Sequence, residues 1–228
     1  TLIITFIYST FFASEIVGGD IKTGQVIWSR AIAITALIVA FLSPIMGAIA
    51  DRGGYRKLFL MFWTFICIVG SIALYYPVQG EIYKALFWVI ISNVGFEMGG
   101  VFCNAYLPEI APKNKIGRVS GYGWSFGYLG GLIALFLALV LFINPEVPAF
   151  GFSNTEAGSF ENIRAINLMV AIWFLIFSIP VFLFVGENKN KEKHSFKSLW
   201  IDSFGRINAT FKSIKKYKIL VRFLVARL

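Results

Sequence analysis

Four stretches of this chain carry no charged residue over the length of about 20 residues that an α-helix needs to cross a bilayer. They lie between Arg30 and Asp51, Lys57 and Glu81, Arg118 and Glu146, and Arg164 and Glu187. A fifth, from Ala85 to Tyr106, is broken only by Glu97, which a bundle interior can house. Composition agrees, with 57% hydrophobic and 14% charged residues against roughly 25% charged in soluble domains. A water-soluble fold of 228 residues has no way to bury that much apolar surface. At the ends the runs fall short. Thr1 to Ser14 supplies about 14 uncharged residues, the length of half a crossing, and reads as the second half of a helix. Ile219 to Leu228, interrupted by Arg222 and Arg227, reads as the opening of a seventh span. With no initiator Met and no secretory n-region before Thr1, the chain is expected to be cut at both ends.

The net charge of +9 invites a nucleic-acid reading, and the positions of the charges make it unnecessary. If the first segment leaves the cytoplasm, the inside loops are 51–57, 106–118 and 187–218, and the outside loops are 15–30, 79–84 and 144–164. The inside loops hold Arg52, Arg56, Lys57, Lys113, Lys115, Arg118 and the Lys-rich segment from Lys189 to Lys218. The outside loops hold only Lys22, Arg30, Lys84 and Arg164. That asymmetry is the positive-inside pattern, and the basic loops also suit anionic head groups. Cys67 and Cys103 sit in separate apolar runs, far from any metal-ligand spacing, and are expected to be packing residues.

The loop after the second span reads Gly47-Ala-Ile-Ala-Asp51-Arg52-Gly53-Gly54-Tyr55-Arg56-Lys57. It resembles the signature G-x-x-x-D-R-x-G-x-R-K between helices two and three of major facilitator transporters. Gly47 allows close helix approach, Gly54 a tight turn, and Asp51 a contact with a helix N-terminus or a basic partner. The segments Ser43–Arg52, Asn104–Pro112, Gly117–Trp124 and Arg222–Leu228 are similar to the vacuole effluxer-like subfamily, which comprises the fungal autophagy-related amino-acid effluxer and bacterial relatives. The resemblance implies a secondary transporter of twelve to fourteen helices working by alternating access, with this chain supplying helices one to six. One departure is that Gly127-Tyr128-Leu129-Gly130-Gly131 lacks the proline of the antiporter motif of helix five, so antiport does not follow.

Within the five complete spans Glu97 is the only ionisable residue, and an unpaired charge near the bilayer centre costs roughly 3 kcal/mol or more. Asn93, Glu97, Gly100 and Asn104, at steps of three and four, place a polar stripe on one face of helix four, expected to point into the bundle. Glu97, with Asn93 and Asn104, is a candidate for proton coupling or for binding a solute amine. The alternative is a protonated or hydrogen-bonded Glu serving helix packing. On helix five, Gly123, Gly127 and Gly131 repeat at four-residue spacing, expected for close helix packing, with direct solute contact as the alternative. Glu109 and Arg118 flank the loop between helices four and five, and one of them is expected to pair with the Asp51–Lys57 loop when the inner gate is shut, unless these are solvated loop charges. Phe196 to Ile214 has the spacing of an amphipathic interfacial helix.

These readings give an all-α, multi-pass transmembrane bundle, the N-terminal six-helix half of a major facilitator fold. Residues 1–186 are expected to form the bundle with helix one truncated, 187–218 a cytoplasmic inter-half loop, and 219–228 the start of helix seven. Implied partners are a small-molecule solute, a coupling proton or ion, the lipid bilayer and a C-terminal half, in a cell membrane of the bacterial inner type. No cofactor or metal set and no enzyme constellation is visible: the lone His194 lies in a lysine-rich loop, and no phosphate-binding loop occurs. Two alternatives stay open, a non-transporting receptor or scaffold on the same fold, and a transporter of sugars or other metabolites.

Overall fold

A computed structural model describes the backbone of residues 3–53 and 55–186, and their side chains apart from 48 and 50–53. The expected inter-half loop at 187–218, its amphipathic stretch and the seventh span lie outside the described residues. Every regular element among the described residues is helical. Helix α1 covers Ile4–Ile16, α2 Ile21–Gly53, α3 Arg56–Ala73, α4 Ile82–Ala105, α5 Leu107–Ile110, α6 Ile116–Ile143 and α7 Glu161–Phe184. Of these, α2, α3, α4, α6 and α7 are long and apolar enough to cross a membrane.

Two helices begin earlier than the uncharged runs indicated. The expected outside loop 15–30 shrinks to residues 17–20, because Gly18 and Gly19 turn the chain at φ values of 65° and 87° and Asp20 takes up the first free donors of α2. Its carboxylate accepts from Lys22 N at 3.2 Å and Thr23 Oγ1 at 3.4 Å. Lys22 and Arg30 therefore lie on α2, whose 33 residues reach roughly 50 Å at 1.5 Å per residue. Arg164, also expected in a loop, lies in the first turn of α7 and is buried.

The seam between α3 and α4 is the most extensive contact in the fold. Two glycines make it possible. A Cβ on Gly95 would stand 2.6 Å from Cys67 N, and one on Gly70 would stand 2.9 Å from Ser92 Cα. In the gap so closed, the Ser71 and Ser92 hydroxyls meet at 2.9 Å, and Ser92 also donates to Cys67 O at 3.4 Å. Such bonds satisfy polar groups that lipid cannot. Cys67 is buried in this seam as expected, whereas Cys103 is exposed.

Three apolar clusters surround the seam. Towards the outer side Tyr8, Phe11, Phe12 and Ile16 of α1 pack with Trp28 of α2 and Val89 of α4. Towards the inner side Leu60 and Trp63 of α3 pack with Met98 and Phe102 of α4. The third joins Ala134, Ala138 and Phe142 of α6 to Ala165 and Ile166 of α7. The first half of α6 joins none of them, and residues 121–129 are all exposed. Among the described residues this stretch has no helix against it. Large exposed side chains such as Phe41, Leu183 and Phe184 are the ordinary complement of a lipid-facing surface.

The seam yields a direct test. In the full-length protein, Gly95→Ala should lower thermal stability in detergent by about 1–3 kcal/mol, the usual cost of overpacking. Gly99→Ala, at a site where a Cβ meets nothing within 4 Å, should leave it within about 0.5 kcal/mol. Equal melting temperatures for the two variants would contradict the close approach.

Candidate functional site

At the inner end, the start of α3 acts as a hub. The Arg56 guanidinium donates to the Glu109 carboxylate on α5 and, at 3.3 Å, to Ala105 O at the end of α4. Lys57 Nζ donates to Val185 O, just past α7, at 3.0 Å. Two adjacent cations thus meet the carbonyl-rich ends of two other helices, where unsatisfied C=O groups carry partial negative charge. Glu109, rather than Arg118, is the flanking residue that reaches the loop. Arg118 stays on its own helix, donating Nε to Tyr122 Oη at 2.8 Å with its guanidinium 5.5 Å from that ring's centre. The side chains of Asp51 and Arg52, and Gly54, lie outside the described residues. At Gly47 a Cβ would meet nothing within 4 Å, so no close approach occurs there among the described residues.

The polar stripe of α4 divides between two environments. Asn93 turns inwards, 8% exposed, and lines a cavity of about 690 Å³ between α1, α3, α4, α6 and α7. The Ser71–Ser92 pair opens onto the same cavity, whose walls are otherwise apolar, with Phe96, Phe126, Trp173, Ile133 and Gly127 among them. Glu97 and Asn104 are exposed instead, on a side of α4 that no described residue covers. Geometry accounts for the split: a step of four residues overshoots a turn of 3.6 by about 40°. Asn93 falls at the edge facing α3 and α7, and Glu97 one turn later falls outside it. The expected packing at Gly123 and Gly127 is not made within the described chain, since a Cβ at either would meet nothing within 4 Å.

The outer end holds a network that sequence reasoning missed. Arg164, 9% exposed, donates from Nη1 to Tyr75 O at 2.9 Å, from Nε to Ser159 O at 3.1 Å and from Nη2 to Gly158 O at 3.5 Å. Its guanidinium sits 5.2 Å from the centre of the Tyr75 ring, and Tyr75 Oη donates to the Glu161 carboxylate. Two of these carbonyls, Gly158 O and Ser159 O, flank or lie in a strained turn: Ser159 and Phe160 have φ of 50° and 49°, a region that costs a non-glycine residue about 1 kcal/mol or more. Arg164 thereby ties the end of α3 to the start of α7. The available signal was the spacing Glu161-x-x-Arg164 at the head of an apolar run, which charge counting had assigned to a loop.

The geometry is that of a membrane bundle pinned at both ends, with an apolar cavity inside and a polar strip left open on one side. Set beside known proteins, the chain matches the family model described as "Vacuole effluxer Atg22 like" over residues 14–118 and 112–228. It is 27% identical over 230 residues to the "Uncharacterized MFS-type transporter YxiO" of Bacillus subtilis, across 99% of this chain and 51% of that one. It is 29% identical to an uncharacterized protein of Aquifex aeolicus, across 89% of this chain and 47% of that protein. To the autophagy-related protein 22 of Yarrowia lipolytica it is 22% identical, across 70% of this chain and 34% of that protein. The chain spans about half the length, or less, of these curated relatives. No solved structure matches it.

Both ends generate measurements on the full-length protein. A double-mutant cycle with Arg56→Gln and Glu109→Gln should give a coupling energy of about 1 kcal/mol, modest because the pair is partly solvated; additive losses would mean that the two side chains do not interact. The hydrogen bond to Glu161 holds the Tyr75 phenol above its ordinary value of 10.0. A raised value means that the folded state favours the protonated phenol, so its contribution is complete below pH 10 and fades as the pH rises past it. Tyr75→Phe should therefore abolish a component of the alkaline loss of stability, read from melting temperatures between pH 8 and 11. An unchanged profile would remove Tyr75 from the network's energetics.

Proposed function

The chain belongs to the vacuole effluxer Atg22-like family of major facilitator transporters, and from that membership we propose that it is the helix-one-to-six half of a secondary transporter. The solute is small, with amino acids the leading candidates, and it moves by alternating access against a second, C-terminal half. The observation that carries this reading is the uncovered polar strip. Glu97 and Asn104 of α4 are exposed in a span otherwise dominated by apolar residues, and a carboxylate left against lipid costs several kcal/mol. A second half packed across that side, enclosing a water-filled path, removes the cost, and transporters commonly place their solute and coupling-ion sites at such repeat interfaces.

In this reading Glu97 is the coupling carboxylate, binding a proton or a solute amine, with Asn93 and Asn104 as hydrogen-bonding neighbours. The Arg56–Glu109 tie and the Lys57–Val185 contact hold the inner ends of α3, α4 and α7 together. A partly solvated pair of this kind supplies a bias between two states rather than bulk stability. Asp51, Arg52 and Gly54 complete the inner signature. The open glycines of α6, Gly123 and Gly127, suit close sliding contact with the second half, with Gly131 continuing the repeat along the helix. A bacterial inner membrane fits the basic inner loops and the similarity to the Bacillus subtilis protein.

Flux through the full-length protein decides the matter. Reconstituted into vesicles with an imposed proton gradient, it should move labelled amino acids from a mixed pool at a gradient-dependent rate, and Glu97→Gln should reduce that coupled rate at least about tenfold, as removal of a proton-transferring group does. Movement of sugars alone would redirect the substrate, and binding without flux would favour a receptor. Coupled flux untouched by Glu97→Gln would remove Glu97 from the mechanism.

A further inference from the structure

Four cations among the described residues lie towards the outer side, and two of them are already engaged. Lys84 donates to both oxygens of Glu81 at 3.1 and 2.9 Å, and Arg164 is held by backbone carbonyls. The side chains of Lys22 and Arg30 are exposed and have no hydrogen-bond or ion-pair partner among the described residues. Asp20, just before them, spends its carboxylate on Lys22 N and Thr23 Oγ1. Yet Lys22 and Arg30 line one groove on α2, together with Gln25, Val26, Ser29 and Ala33. Gln25 is exposed with its amide donors unused among the described residues, and Ser29 has turned its proton to Gln25 O at 2.8 Å. The groove therefore offers two cations and an amide donor to an anion, and brings no negative charge of its own.

Depth identifies the layer in which the groove sits. About 20 residues at 1.5 Å each cover the hydrocarbon core; counted back from Asp51, the first charge at the inner end of α2, they end at Ala31. Arg30 thus stands at the outer edge of the hydrocarbon, with Lys22 roughly 12 Å further out. Side chains on a helix lean towards its N-terminus, here the outer end, so the Arg30 guanidinium is carried up into the head-group layer. Below it the same face turns apolar: Ile34, Leu37 and Phe41 follow at steps of three and four, and all are exposed. Cationic donors at head-group depth above an exposed apolar track match the two parts of an anionic phospholipid, its phosphate and its acyl chain.

We propose that this face of α2 binds an anionic phospholipid of the outer leaflet, the phosphate held between Lys22 and Arg30 with Gln25, and one acyl chain laid along Ile34, Leu37 and Phe41. A zwitterionic lipid fits less well, because its own cation cancels the charge that the two basic side chains recognise. Cations on the outer side run against the positive-inside pattern, and a lipid phosphate supplies the compensation that no described side chain does. The site depends on α2 crossing the bilayer and is independent of which solute the Glu97 side carries.

Full-length protein in detergent is titrated with dioctanoyl phosphatidylglycerol, dioctanoyl phosphatidylcholine, glycerol 1-phosphate or inorganic phosphate at constant ionic strength, and the melting temperature is followed. Phosphatidylglycerol should stabilise saturably, and phosphatidylcholine should not. Lys22→Gln and Arg30→Gln should each weaken that binding about fivefold, and the double variant about 25-fold, the worth of one and two basic residues at an anionic surface. Lipid held by the basic inner loops adds a component that neither change affects. Arg30→Lys should retain most of the affinity, and Lys84→Gln, which removes a cation already paired with Glu81, should retain all of it. A lower melting temperature of Arg30→Gln without lipid, at unchanged lipid affinity, would mark a purely structural role and overturn the site. So would equal phosphatidylglycerol affinity in the double variant, or no response to the lipid because a second half already covers this face. Equal stabilisation by glycerol 1-phosphate or inorganic phosphate would assign the groove to a soluble anion and overturn the lipid. Solute flux has no part in the readout, so the transporter reading stands or falls separately.

Discussion

The close approach of α3 and α4 at Gly70 and Gly95 is the constraint from which the other placements follow. With no lipid-driven preference for one helix face over another, association in a bilayer depends on packing and on hydrogen bonds that lipid cannot replace. The two glycines provide the packing, and the Ser71–Ser92 pair provides the bonds. Once that seam is fixed, the rotation of α4 is fixed with it. Ser92, Gly95 and Gly99 face inwards, so Glu97 is carried to the opposite side. The exposure of a carboxylate in the middle of a span is therefore a consequence of where α4 keeps its smallest residues.

The two ends of the bundle are tied by different physics. The inner tie uses side-chain charge: Arg56 on the Glu109 carboxylate and Lys57 on a helix-end carbonyl, with Glu109 a third exposed. Such contacts are easily exchanged for water, and their strength falls with salt. The outer tie uses a buried guanidinium on three backbone carbonyls, one of them within a turn held at positive φ. Opening it leaves an arginine and two or more carbonyls unsatisfied in a dry environment, at a cost of several kcal/mol. The inner tie is therefore the more readily exchanged of the two, and the outer tie the more costly to open.

Much of this was legible in the sequence, and the rest failed for identifiable reasons. Uncharged length located five spans, since length against bilayer thickness admits few alternatives. The same rule misplaced the ends of α2 and α7, because it treats every charge as a boundary. Lys22 and Arg30 ride on a helix started by Asp20, and the Arg164 guanidinium is hydrogen-bonded by carbonyls brought from the end of α3 and the turn before α7. The repeat at Gly123, Gly127 and Gly131 advertised a capacity for close packing but not a partner; the close contacts formed at Gly24, Gly70 and Gly95, which share no short repeat. The stripe Asn93–Glu97–Asn104 was legible as a stripe. Its division between cavity and open surface depended on the rotation of α4, which only the seam with α3 determines.

The hydroxyls of α1 show how the membrane constrains polar side chains. In water, serine and threonine hydroxyls serve as donors or acceptors as the ligand requires. In a span each is drawn to bond the carbonyl four residues back, since no solvent competes for that oxygen. Ser29, Thr35 and Ser125 do so, and Ser178 bonds the carbonyl three residues back, but each singly. On α1 the habit is repeated within one short helix, at Ser9, Thr10 and Ser14, so their protons are spent on the helix's own backbone.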